Sequence, residues 1–109
     1  MRLSFVRRAR VVAEPVTDYI RFEHSTADSN VNAGELVRWL PRRPARDLLL
    51  PANDYWVFDG QRVQYNFFSG DGAFVGNAVS DDPAVVKRCA AAFEAVWEQA
   101  VPHQEYRLR

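Results

Sequence analysis

Four arginines fall within the short stretch "RWLPRRPAR", namely Arg38, Arg42, Arg43 and Arg46, and they form a local cationic cluster in this 109-residue chain. A guanidinium presents a planar fork of donors that matches a phosphate or carboxylate bidentately, and Trp39 inside the stretch offers a stacking surface. The competing reading is a solvated loop, because thirteen of the fourteen basic residues are arginine and the chain uses it as a general surface cation. The segment "NDYWVFDG", Asn53 to Gly60, then sets two aspartates around four large apolar residues. Asp59 with Gly60 reads as a hairpin turn. Asp54 is expected either to neutralise an arginine or to help define an anion site. The candidate ligand- or partner-binding set is therefore Arg38, Trp39, Arg42, Arg43, Arg46, Asp54 and Trp56. If Arg21, Glu23, Arg38 and Asp54 converge, the alternative is an internal ion network.

Other chemistries find little support. His24 and His103 are the only histidines, and nothing in their spacing predicts that they meet, so neither a metal site nor a catalytic residue is expected. Cys89, the single cysteine, excludes an intramolecular disulfide and sits on an apolar helical stripe, where it reads as a small buried hydrophobe. No G-x-S-x-G, Walker A loop or G-x-G-x-x-G occurs, and "GDGAFVG" lies between two aromatic-rich runs, as a hairpin turn would. Asp81 and Asp82 open a helix, where carboxylates cap free N–H groups. No cofactor is expected.

The positioning elements follow from pattern. "RRARVVA", Arg7 to Ala13, reads as a strand stopped at Glu14-Pro15. The stretch from Pro15 to Ala27 carries both helical and alternating spacings, and is taken as a helix with Pro15 in its first turn. Asp28 to Gly34, "DSNVNAG", is a loop by composition. Glu35 to Pro41 is a second strand, and Pro44 opens a short helical turn that Pro51 stops. Asp54 to Val79 reads as a three-stranded antiparallel meander turning at Asp59-Gly60 and at Ser69 to Gly72. Asp82-Pro83 starts a long amphipathic helix with the stripe Val85, Val86, Cys89, Phe93, Val96, Trp97 and Ala100, expected to bury Phe93 and Trp97. The tail "HQEYRLR" carries no pattern. The expected fold is α+β: a mixed sheet containing an antiparallel meander, packed by the long C-terminal helix and one shorter helix, in a single domain over residues 1–109. Zero formal net charge removes any long-range field for nucleic acid, and no apolar run approaches the roughly 20 residues of a membrane span. The N-terminus does not read as a secretory signal, and a cytoplasmic location is expected.

Taken together, "RVVAEPVTDYIRFE", "NAGELVRWLPR", "NDYWVFDG" and "DDPAVVKRCAAAFEAVWEQAV" resemble an uncharacterised actinobacterial domain family whose members are often encoded beside Xre-type helix-turn-helix regulators. The likeness runs from about Arg8 to Val101. Family chains usually carry a further helical region ahead of the first strand, which this sequence lacks. Members resemble in turn the C-terminal half of a phospholipase-D-like fold, with a long final helix carrying F-x-x-x-W, here Phe93 and Trp97. Those enzymes place a lysine shortly after a nucleophilic histidine, whereas the single lysine here, Lys87, is on the final helix. The resemblance thus implies a scaffold without the catalytic set, used for binding or regulation.

The first functional expectation is a non-enzymatic module that binds a protein partner, such as a helix-turn-helix transcription regulator, through exposed aromatics among Trp39, Tyr55, Trp56 and Tyr65 together with the arginine patch. Pairing of open sheet edges in a homodimer is a variant of it. The alternative is an enzyme or sensor for a phosphate-containing or other anionic small molecule, with Arg38, Arg42 and Arg43 as binders and Asp54 or His24 as base. Direct nucleic-acid binding is disfavoured by the charge balance.

Overall fold

The structure is a computed structural model describing residues 7–51 and 53–108. Two helices and two three-stranded sheets make an α+β fold, and the chain divides into two compact units. Unit 1 is Met1–Leu48 with Val96–Arg109, and unit 2 is Leu49–Ala95. The single mixed sheet expected from sequence is instead two separate sheets. The meander forms a sheet of its own, while the first strands are completed by a two-residue strand in the unpatterned tail.

In unit 1, β1 (Arg7–Val12) and β2 (Leu36–Pro41) pair in parallel and are joined by α1 (Asp18–Asn32). Parallel neighbours need such a crossover, because a tight turn cannot reverse the chain twice. Thr17 caps α1, its hydroxyl accepting from the Ile20 N–H at 3.2 Å, so Pro15 precedes the helix instead of standing in its first turn. Ile20, His24, Ala27 and Val31 fall on one face of the helix, and the buried or half-buried apolar members join Val12, Val16, Val37, Trp39 and Tyr106 in the core. Ser25 and Thr26 return their hydroxyls to the Phe22 and Glu23 carbonyls, which reconciles them with a helix interior.

The helix continues through Asp28, Ser29 and Asn30, which composition assigned to a loop. Its end is set by geometry instead. Gly34 stands at φ 98°, its N–H bonds the Val31 carbonyl at 3.0 Å, and the Glu35 N–H reaches back to the Asn30 carbonyl at 3.0 Å, a Schellman closure. A short 3-10 turn, Pro44–Asp47, follows β2 as expected. The last strand of this unit, Val101–Pro102, pairs antiparallel with Arg38 and Trp39 of β2.

Unit 2 holds β3 (Asp54–Phe58), β4 (Arg62–Phe68) and β5 (Phe74–Ser80) in antiparallel order. Asp59 and Gly60 both take positive φ, 52° and 66°, as the turn at this hairpin requires, and the Gln61 N–H closes it on the Phe58 carbonyl at 2.9 Å. Tyr55, Val57, Val63 and Tyr65 share one face and pack on Val86 and Cys89 of α2 (Pro83–Gln99). The Asp82 carboxylate caps that helix, accepting from the Ala84 N–H at 2.9 Å. The Val101–Pro102 strand that follows it is labelled β6. Trp97 is buried as expected, whereas Phe93 is only half-buried. Among the described residues no helix is long and apolar enough to cross a membrane.

Because open space surrounds the Cβ position at Gly34, a Gly34→Ala change should act through its backbone angle alone. Denaturant unfolding is expected to show a loss of about 1 kcal/mol with an unchanged m-value.

Candidate functional site

The arginines divide into two groups. Those on β1 and β2 are spent inside unit 1. Arg10 pairs with Glu23 at 2.7 Å and Arg8 with Glu35 at 2.6 Å, each joining β1 to the helix or its end. Arg38 lays its guanidinium 4.2 Å from the Trp97 ring centroid and donates to the Trp97 carbonyl at 2.8 Å, with Arg7 5.3 Å from the same ring. Two internal ion pairs are therefore present, Arg10–Glu23 and Arg8–Glu35, in place of the convergence of Arg21, Glu23, Arg38 and Asp54 that would make a network. Arg42, Arg43 and Arg46 are exposed, and among the described residues none makes an ion pair. Arg46 only donates back to the Arg43 carbonyl, at 3.1 Å. They are the part of the patch left for an anionic group.

Trp39 is corrected outright. It is 0% exposed, so it cannot offer a face to a ligand or partner. Its indole N–H donates to His103 Nδ1 at 3.0 Å, and its ring stacks on Tyr106 at 5.7 Å and 10°. An indole N–H only donates, so Nδ1 is the acceptor and the ring hydrogen of His103 belongs on Nε2, aimed at Asp28 Oδ1 at 2.7 Å. Tyr106 in turn donates to Glu14 at 2.9 Å. The two histidines do converge, with ring centroids 4.5 Å apart, contrary to the expectation that they lie at unrelated element ends. No cue within either segment announces this, since Trp39 and His103 are separated by 64 residues.

Asp54 and Trp56 belong to unit 2. The strand register puts them on the sheet face opposite Cys89, beside Gln64 and Asn66. Asn66 is buried, donates to Asp54 at 3.1 Å and accepts from Gln64 at 3.1 Å, so the Asp54 carboxylate is held by an amide chain. Trp56 is half-buried, as are Tyr55 and Tyr65. Those two tyrosines point to α2: Tyr55 donates to the Cys89 carbonyl at 2.9 Å, and the Tyr65 hydroxyl lies 3.4 Å from Cys89 Sγ. Burial, with Cys89 and Tyr65 adding to it, pushes the Tyr55 phenol up to about 12. The hydrogen bond to Cys89, with burial next, raises Tyr65 as well. Cys89 is buried as expected of a small hydrophobe.

The surface that sequence reading missed is apolar. Phe58, Phe68, Phe74, Val75 and Val79 are all exposed, the last three at 58%, 63% and 56%. Phe58, Phe68, Phe74 and Val79 lie on the Asp54/Trp56 face by register, and Phe68 meets Phe74 edge-on at 5.8 Å. A register shift at Phe67/Phe68 leaves Val75 without a counterpart on β4. The solvent face of an antiparallel sheet is normally polar, so this row of large apolar groups is unusual. Among the described residues β5 pairs on one side only, and "FVGNAVS" contains neither a charged residue nor proline, the usual guards of an edge. The signal was present in "AFVGNAV", whose apolar residues are not confined to alternate positions.

The His103 bridge gives a direct test. His103→Ala leaves the Trp39 N–H buried without an acceptor and should cost about 1–3 kcal/mol in chemical denaturation. Asp28→Ala removes an exposed carboxylate and is expected to cost less than about 1 kcal/mol.

No curated protein and no solved structure matches the chain significantly. The model of one family does match, over residues 3–108 and hence across both units, and the chain belongs to that family, described as a domain of unknown function, DUF6879.

Proposed function

We propose that this domain is a non-enzymatic regulatory module that works in the cytoplasm by binding a protein partner. The observation that carries the reading is the unguarded edge of β5, with Phe74, Val75 and Val79 exposed along it. An extended segment of a partner would add main-chain hydrogen bonds to that edge, while apolar side chains cover Phe68 and Phe74. Arg42, Arg43 and Arg46, exposed and without carboxylate partners among the described residues, supply a separate contact for acidic groups. The partner class is a helix-turn-helix transcription regulator, the neighbour implied by the resemblance to actinobacterial domains. Support for a role without catalysis comes from the histidines: His103 is engaged on both ring nitrogens, and the ring of half-buried His24 packs against it. The phospholipase-D-like likeness enters this reading as a scaffold only.

The test is calorimetric titration of the purified domain with the helix-turn-helix regulator encoded beside it. Val75→Lys/Val79→Lys places charge on exposed edge positions and should weaken binding by about tenfold or more, without changing the unfolding midpoint. Arg42→Ala/Arg43→Ala should weaken it less and reduce its salt dependence. Absence of binding by the unaltered domain, or equal binding by the lysine variant, contradicts the proposal.

A further inference from the structure

The histidine pair in unit 1 is not used by the interaction surface, and its packing has a consequence of its own. His24 lies 5.2 Å from the Trp39 ring, 4.5 Å from His103 and 6.1 Å from Tyr106, centroid to centroid. Its Nε2 is buried and has no hydrogen-bond partner among the described residues. Such an atom is tolerated as a neutral imidazole nitrogen but not as a charged N–H, which needs an acceptor or water. The surfaces closing it off are Trp39 of β2 and the C-terminal segment after α2.

That segment is held by strand pairing, side-chain bonds and packing on the core. Val101 and Pro102 pair with β2, the His103 N–H donates to the Val37 carbonyl at 2.8 Å, His103 bridges Trp39 and Asp28, and Tyr106 bonds Glu14. We propose that His24 is an acid-sensitive latch for residues 101–108: when Nε2 takes a proton from solvent, the new N–H has no acceptor among the described residues, and it is relieved by release of this segment from β2.

The charged and titratable groups around it come from every packed element. Asp28 and Glu23 stand on α1, Arg10 on β1 lies 5.9 Å from Trp39 and is already paired with Glu23, Glu14 is held by Tyr106, and His103 and Arg107 are on the segment itself. Burial first, then His103, holds His24 below the ordinary imidazole value of 6.5, with Arg107 adding to them and Asp28 and a backbone bond at Tyr106 opposing. A group lowered in the closed state binds its proton more readily once open. The latch is therefore at full strength above pH 6.5 and loses strength as pH falls below it, until the closed state protonates too.

Amide hydrogen exchange of the whole chain, corrected for intrinsic rates, tests this. Between pH 7.5 and 5.5, protection at His103 and Tyr106 should fall by up to about tenfold, while Val63 in the other unit is unchanged. In His24→Gln the fall should disappear. Unchanged protection at pH 5.5, or the same fall in His24→Gln, overturns the proposal. Should that variant not fold, proton NMR titration of the unaltered chain decides it. A His24 midpoint below 6.5, with parallel loss of the His103 amide signal, supports the latch, and a midpoint at or above 6.5 overturns it.

Discussion

A single buried hydrogen bond, from the Trp39 indole to His103, organises unit 1. Trp39 is fully buried between α1, β1 and the C-terminal segment, and a side chain of its size removes about 200 Å² from water, worth about 5 kcal/mol at about 25 cal/mol per Å². Its one polar atom would forfeit about 1–3 kcal/mol of that if left without an acceptor. Only an acceptor delivered from outside β2 can prevent the loss. His103 supplies it, and so the chain must return after α2 to lie along β2 as β6. The Asp28 contact and the Tyr106 stack on Trp39 follow from the same return.

This constraint also sorts the arginines. On β1 and β2 each finds a carboxylate or the Trp97 ring, so these strand arginines serve cohesion within the unit. Arg42, Arg43 and Arg46 lie beyond the end of β2, and among the described residues they have no such partners. What sequence presents as one cluster is thus two populations with different uses, divided at the end of β2. In unit 2 the division is by face. One face packs tyrosines and valines on α2, and the other carries an amide chain at Asp54 beside exposed phenylalanines and valines.

Much of the local structure was legible because local residues determine it. Asp59-Gly60 adopts the two positive φ angles of its turn, Asp82-Pro83 starts α2, and β1 ends before Glu14-Pro15, each through chemistry confined to a few neighbours. The misreadings share a different cause. Asp28 to Asn32 looked like a loop because its composition favours turns, yet Val31 packs on the core and the chiral demand is met only at Gly34. β6 is too short to carry a period, and it forms because His103 has to reach Trp39. The meeting of His24 and His103, like the assignment of Trp39 to the core, depends on pairing between residues far apart in the chain. The exposed row on β5 was not singled out from sequence, because which of its apolar residues face solvent follows from its pairing with β4.

The most direct measurement is nitrogen NMR of the imidazole rings near neutral pH, with the Trp39 indole proton followed in the same sample. A bond from the indole to Nδ1 requires His103 to carry its hydrogen on Nε2, with the Trp39 indole proton slow to exchange and shifted downfield. That result is predicted. A hydrogen on Nδ1 of His103, or a freely exchanging Trp39 indole, contradicts the central role given to this bond.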